Sequence, residues 1–329
     1  MFMQLINTLL TVAAGIVAAL ALFWVLNKVV ELLPGSLQYT LKPYAFILPA
    51  FLAITLYLAY PAVLTVVDSF KTKVNFPAEK WVGFQNYSKL FGTDQFLQAL
   101  LNTVLWVIIV PAVSIALGLA IAVLVDRLHP KAEKTAKTVI FLPMAISAVA
   151  AATIWRFVYS YQVEGQPQVG LLNALWTSTG AEPVFWLGTT EFRLNSILLM
   201  IMMLWSQIGY SMVLLSSAVK SVPTETLEAA RIDGANERQS FFKVVVPQIW
   251  PTVITVFVTV TISVMKVFDI VYVMTRGTHD TSVIGMEFYV RFSQVNYGSA
   301  SAIVVILMIA IIPLMIFQVR QFRREEANR

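Results

Sequence analysis

Long apolar runs alternate with short polar segments along this chain. Seven runs carry almost no charge: residues 3–27, 44–67, 97–125, 138–159, 194–219, 244–274 and 300–319. Each is about as long as the 20 residues a helix needs to cross a bilayer core. In hydrocarbon every backbone N–H and C=O must find its partner within the protein, so such segments are helices or closed barrels. The ten-residue alternation of a membrane barrel strand is absent. The pattern predicts an all-α, polytopic membrane helix bundle of about seven transmembrane helices. The first run precedes Pro34-Gly35, a turn signal. It lacks the basic start and the small-residue cleavage site of a secretory signal, so it reads as a retained helix, peripheral to a six-helix core.

One polar segment is patterned. From residue 228 to 247 the chain reads EAARIDGANERQSFFKVVVP, between two apolar runs. Thr224 is placed to cap a short helix with Glu225 in its first turn. Gly234 permits the left-handed turn that ends that helix. A second amphipathic helix over about 237–245 leads back to the membrane before Pro247. Asp233 is a candidate to cap that second helix, or to pair with Arg231 or Arg238. Two short helices with a glycine hinge, held off an apolar bundle, form a docking surface.

Composition supports the membrane class: 58% of residues are hydrophobic and 12% charged, against about 25% charged in soluble domains. There is no cysteine, and the two histidines, His129 and His279, are far apart. That leaves no disulfide, no thiolate metal site and no expected metal centre. The net charge of +5 does not point to nucleic acid; where the positive charges fall matters more than their sum. With the N-terminus outside, fourteen Lys and Arg fall on inside segments and seven outside. This favours N-out and C-in. The first outer loop runs against the trend with Lys71, Lys73, Lys80 and Lys89, accompanied by Asp68, Glu79 and Asp94.

The polar segment resembles the EAA loop of permease subunits of binding-protein-dependent ABC importers. That pattern is EAA, three residues, Gly, nine residues, then Ile-x-Leu-Pro. Here Glu228, Ala229 and Ala230 are followed by Gly234 and, nine residues on, by Val244, Val246 and Pro247. Both departures keep apolar character. Other family-like blocks follow in order: WVGFQNY at 81–87, LLNTV at 100–104, FLPMAIS at 141–147, GLLNALW at 170–176 and KVFDIVYVMT at 266–275. The resemblance spans 44–320, with an extra N-terminal helix and linker over 1–43 and a basic tail over 321–329. It is closest to the alpha-glucoside permeases.

The resemblance implies a transport subunit and not an enzyme. The chain has no GxxxxGK[ST] loop to cradle ATP, so no cofactor is expected on it. ATP and Mg would belong to a partner ATPase dimer. Glu228 would contact that ATPase, Ala229 and Ala230 would allow close approach, and Asp233 and Gly234 would shape the turn. Further partners implied are a second permease chain in a heterodimer, an extracytoplasmic sugar-binding protein meeting loops 68–96 and 160–193, and the lipid of a bacterial inner membrane.

A substrate path would lie near the bilayer midplane, where polar side chains are costly unless they line a cavity or a helix contact. Met203, Ser206, Gln207 and Tyr210 share one helical face by spacing. Thr259, Ser263 and Lys266 share another. Met144, Ser147 and Ala148 do so beside Pro143. Trp205 and Trp155 are candidates to stack on a sugar ring. Lys266 and Asp269, three apart, are placed to pair on one helix. The substrate expected is an alpha-glucoside such as maltose, sucrose or trehalose, or a glucosylated compatible solute. Rival classes are an importer of a non-sugar solute, an ion-coupled secondary transporter, for which only Asp269 is a suitable buried acid, and a membrane enzyme, for which no His/Asp/Glu cluster is visible.

Overall fold

The structure is a computed structural model in which residues 2–72 and 80–327 are described. Lys73, Glu79 and Arg329 of the charge pattern lie outside the described residues. The chain divides into two compact units, Met1–Val67 and Asp68–Arg329.

In the first unit, α1 (Phe2–Glu31) and α2 (Gly35–Ile54) pack together, with Phe23 stacked on Phe46 at 5.9 Å. The expected polar linker after the first span shrinks to a turn. Pro34 takes an extended conformation (ψ 144°), and a helix resumes at once, nine residues before the apolar run. A π turn over Thr55–Ala59 then leads into α3 (Tyr60–Asp68). It lies immediately ahead of Pro61, which has no N–H to give and whose ring crowds the carbonyl four residues back.

In the second unit, a short α4 (Gln85–Phe91) precedes the long α5 (Asp94–Val125). Next come α6 (Pro130–Phe141), a 3-10 turn (Leu142–Ala145), α7 (Ala148–Val158) and α8 (Leu171–Thr177). The long α9 (Leu194–Lys220) leads to α10 (Thr224–Ile232) and α11 (Glu237–Ser240), then a π turn (Phe241–Val245) and α12 (Val246–Met265). Finally come α13 (Asp269–Met274), α14 (Ile284–Ser293) and α15 (Tyr297–Ala327).

The core is the mutual packing of α5, α9 and α12, filled by Trp106, Val110, Leu199, Leu215, Val256 and Val260. Small residues let the helices touch, as membrane packing requires. A Cβ added at Gly118 of α5 would lie 2.7 Å from Ser211 Cβ of α9.

Polar contacts fix helix direction. At one end, Arg193, just before α9, donates to Asn102 and Gln98 near the start of α5. At the other end, Lys220 of α9 lies 3.7 Å from Asp126, the residue after α5. So α5 and α9 run parallel, and the chain between them must return across the bundle. That return is the pair α6 and α7, bent by 101°. The fourth predicted span is therefore not one straight helix. Pro143 sits in a 3-10 turn, Ile146 is extended, and the Ser147 hydroxyl accepts from Ala150 N–H at 3.3 Å to start α7 afresh. With six continuous apolar helices and this bent pair, the described residues supply the seven expected spans.

The sixth predicted run is also divided. α12 stops at Met265, and α13 begins at Asp269. Lys266 (φ −98°, ψ 7°) is outside the helix, so it does not continue the face of Thr259 and Ser263. Lys266 and Asp269 consequently share no helix and form no ion pair.

Candidate coupling loop and substrate path

α10 and α11 project from one end of the bundle, the loop face. α10 is amphipathic. Leu227 packs against the core, while Glu228 and Ala229 are exposed and Ala230 is half-buried. Its end is a Schellman motif: Ala235 N–H donates to Ala230 C=O at 2.9 Å, and Gly234 N–H to Arg231 C=O at 3.0 Å. The motif requires a left-handed residue, and Gly234 supplies it at φ 83°. Capping differs from the sequence expectation at both helices. Thr224 lies inside α10, with Pro223 before it. α11 is capped by Asn236 in a reciprocal box with Gln239, each bond 2.9 Å long. Asp233 is the C-terminal cap residue of α10, does not cap α11 and makes no ion pair among the described residues; Asn236 is better placed for α11, because it directly precedes the first turn it bonds. Nor is the second helix separate from the membrane span. Glu237–Met265 forms one continuous rod.

The loop is tied back to the bundle by Arg127 and Glu237, 3.2 Å apart and mostly solvated. A hollow of about 350 Å³ lies behind α10, lined by Arg127, Leu227, Arg231, Glu237, Phe241 and Val245. Beside it, Lys137 of α6 lies 2.6 Å from both Asp126 and Glu133, and Lys220 also binds Glu133. Ser216 donates to Asp126 at 2.8 Å. This cluster fastens the loop-face ends of α5, α6 and α9 to one another. Glu228 has no such partner among the described residues; its carboxylate faces outward alone.

On α9, Met203 is buried, and Trp205, Ser206, Gln207 and Tyr210 are half-buried. Between them and the bend, Gly209 allows contact: a Cβ there would stand 2.4 Å from Ile140 O. α9 is thereby pressed on the loop-side arm of the α6–α7 return. Several hydroxyls are already engaged locally. Ser206 bonds Met203 C=O at 2.9 Å, Thr259 bonds Thr255 C=O at 2.8 Å, and Ser263 bonds Thr259 C=O at 3.0 Å. Ser147 is the α7 cap, and Met144 belongs to the 3-10 turn, so the two do not share a helix face. Trp155 and Trp205 meet edge to face at 5.9 Å and pack against the core.

A polar set at the opposite face has no counterpart among the expected site residues. Fully buried Asn102 donates to the carbonyls of Asp280 (2.6 Å) and Ser282 (2.8 Å), and Asn195 to that of His279 (2.6 Å). They hold a loop that is left-handed at Arg276, His279 and Asp280. Glu287, also fully buried, accepts from Gln95 at 3.0 Å and Ser282 at 2.9 Å and lies 3.5 Å from Arg291. The only sequence signal for this set is isolated polar residues at the ends of apolar runs.

Long apolar helices with a polar two-helix loop at one face and a pinned loop at the other define a polytopic helical membrane protein. The chain belongs to the family of binding-protein-dependent transport system inner membrane components, whose model matches residues 114–326. It is 42% identical over 340 aligned positions to the alpha-glucoside transport system permease protein AglF of Rhizobium meliloti, covering 99% of each chain. It is 44% identical over 285 positions to the osmoprotective compounds uptake permease protein GgtC of Synechocystis, covering 86% of this chain and 100% of that one. A chain of a bacterial alginate ABC transporter, solved in complex with an alginate pentasaccharide-bound periplasmic protein, shares the fold. Its TM-score is 0.74 at 21% identity, over 88% of this chain and 96% of the other.

Proposed function

We propose that this chain is one permease of a heterodimeric ABC importer that takes up an alpha-glucoside or a glucosylated compatible solute. The names of the AglF and GgtC relatives support that substrate class. A sugar-binding protein would deliver the solute, and a dimer of ATPase subunits, holding ATP and Mg, would drive the cycle. The observation that carries the coupling reading is α10 itself. It presents the exposed, unpartnered Glu228 and the small Ala229 outward, while Leu227 anchors it to the core. A charged helix face with no ion-pair partner among the described residues suits a complementary charge on another protein. The distribution of Lys and Arg favours the loop face inside and the N-terminus outside.

The substrate path runs between α9, α12 and the α6–α7 return. Met203, Trp205, Ser206, Gln207 and Tyr210 line it from α9, Thr259 and Ser263 from α12, Lys266 from its end, and Ser147 from the bend. Gln207 is the strongest of these, because it is half-buried and, among the described residues, its amide makes no hydrogen bond.

The test is ATP hydrolysis stimulated by loaded binding protein, in the complete complex in lipid, across alpha-linked disaccharides and glucosylated polyols. One or more sugars should stimulate the wild type. Glu228→Lys should abolish uptake and stimulation while the chain still inserts in the membrane. Normal coupled uptake by Glu228→Lys would sink the coupling role, and an intact complex that responds to no sugar would sink the substrate class.

A further inference from the structure

Three rings converge where α12 gives way to α13. Phe268 stacks on Tyr272 at 5.2 Å, lies 4.8 Å from Tyr289 of α14, and Tyr272 meets Tyr289 edge to face at 5.0 Å. Glycine makes this possible. A Cβ at Gly285 would stand 2.5 Å from Val267 O, so α14 seats directly on the break. Tyr289, one turn further along the same face, then reaches Phe268. Phe268 and Tyr272 rest against the core, but Tyr289 is 36% exposed. Beside the rings, Lys266 and Asp269 are both exposed. Two charges with no ion-pair partner among the described residues, next to an apolar span, would be costly facing acyl chains. The surface they flank therefore faces water or a polar partner. The α12 helix, 20 residues long, places it about 30 Å from the loop face.

We propose that Phe268, Tyr272 and Tyr289, with Lys266 and Asp269 at their edge, form a platform that receives a pyranose ring at the mouth of the path opposite the α10–α11 loop. A pyranose has a face of C–H bonds and a rim of hydroxyls. Aromatic surface covers the first, and an ammonium donor and a carboxylate acceptor answer the second. The platform rests on the reading that the solute is a sugar.

The experiment uses the complete importer in lipid, with radiolabelled trehalose, sucrose and glucosylglycerol as probes. It reads sugar moved per ATP hydrolysed under saturating loaded binding protein. Tyr289→Ala should lower that ratio by roughly three- to tenfold, the scale of one lost aromatic contact. Tyr289→Phe, which keeps the ring, should restore it, and Asp269→Asn should lower it. If Tyr289→Ala reduces uptake and hydrolysis together, the rings serve assembly and the platform is refuted. An unchanged ratio refutes it equally. A wild type that moves none of the probes removes the sugar reading, and the platform with it, before any variant is compared.

Discussion

Gly234 offers a clean measure of what the loop's shape is worth. It sits at φ 83°, and a Cβ added there meets nothing within 4 Å. A substitution therefore acts through the backbone alone, with no clash to confuse it. Alanine in the left-handed region costs about 1–2 kcal/mol, which is roughly a five- to thirtyfold shift between turn conformers. Asparagine tolerates the region better, and valine tolerates it least. Proline is excluded, since its φ is fixed near −65° and it would also delete the bond from Gly234 N–H to Arg231 C=O. The expected order of function is Gly, Asn, Ala, Val, with Pro inactive. Two readouts are needed on the assembled complex: hydrogen exchange at the amides of Gly234 and Ala235, and uptake per ATP hydrolysed. Exchange should quicken and uptake fall in the same order. If Ala and Val match glycine in both, the turn does not govern coupling and the reasoning fails.

Two further substitutions probe the fold that carries the loop. Gly209→Val drives a branched side chain into the Ile140 carbonyl, and overpacking of this kind costs typically about 1–3 kcal/mol; the melting temperature of the solubilised protein should drop, while Gly15→Val, with nothing within 4 Å, should leave it in place. Asn102→Leu removes the donor to the Asp280 and Ser282 carbonyls and an acceptor for Arg193, and the buried Ser282 carbonyl left unpaired costs about 1–3 kcal/mol; limited trypsin digestion should then cut faster at Arg276, and an unchanged cleavage rate would show that the loop holds itself.

The apolar periodicity carried most of the architecture. Charge-free runs located every long helix, because a bilayer admits little else. What it could not carry was where runs break. The 138–159 and 244–274 runs look continuous since apolar residues carry on across each break. The breaks depend on Pro143 with the Ser147 cap in one case, and on α14 seating through Gly285 in the other, a contact between residues distant in sequence. The glycine turn of the loop was legible because a left-handed C-terminal position selects glycine by itself. The Asn236–Gln239 box was equally legible in type and spacing, and Asp233 was the wrong choice only because it lies three residues too early. Asn102, Asn195 and Glu287 left almost no trace. Their roles come from loop carbonyls and side chains that meet them only after the bundle closes.

The continuous rod from Glu237 to Met265 has one weak section. In the π turn Phe241–Val245 the bonding is already widened, and Pro247 cannot donate to the Lys243 carbonyl. If the rod pivots there without bending, it is an unequal lever. The arm on the loop side is about six residues long, some 9 Å, and the arm within the bundle about 22 residues, some 33 Å. One ångström of travel at Glu237 would then appear as roughly three or four at Met265, next to the break that holds Lys266 and Phe268. Such a pivot would turn a small shift at the loop into a larger displacement at the far end of α12.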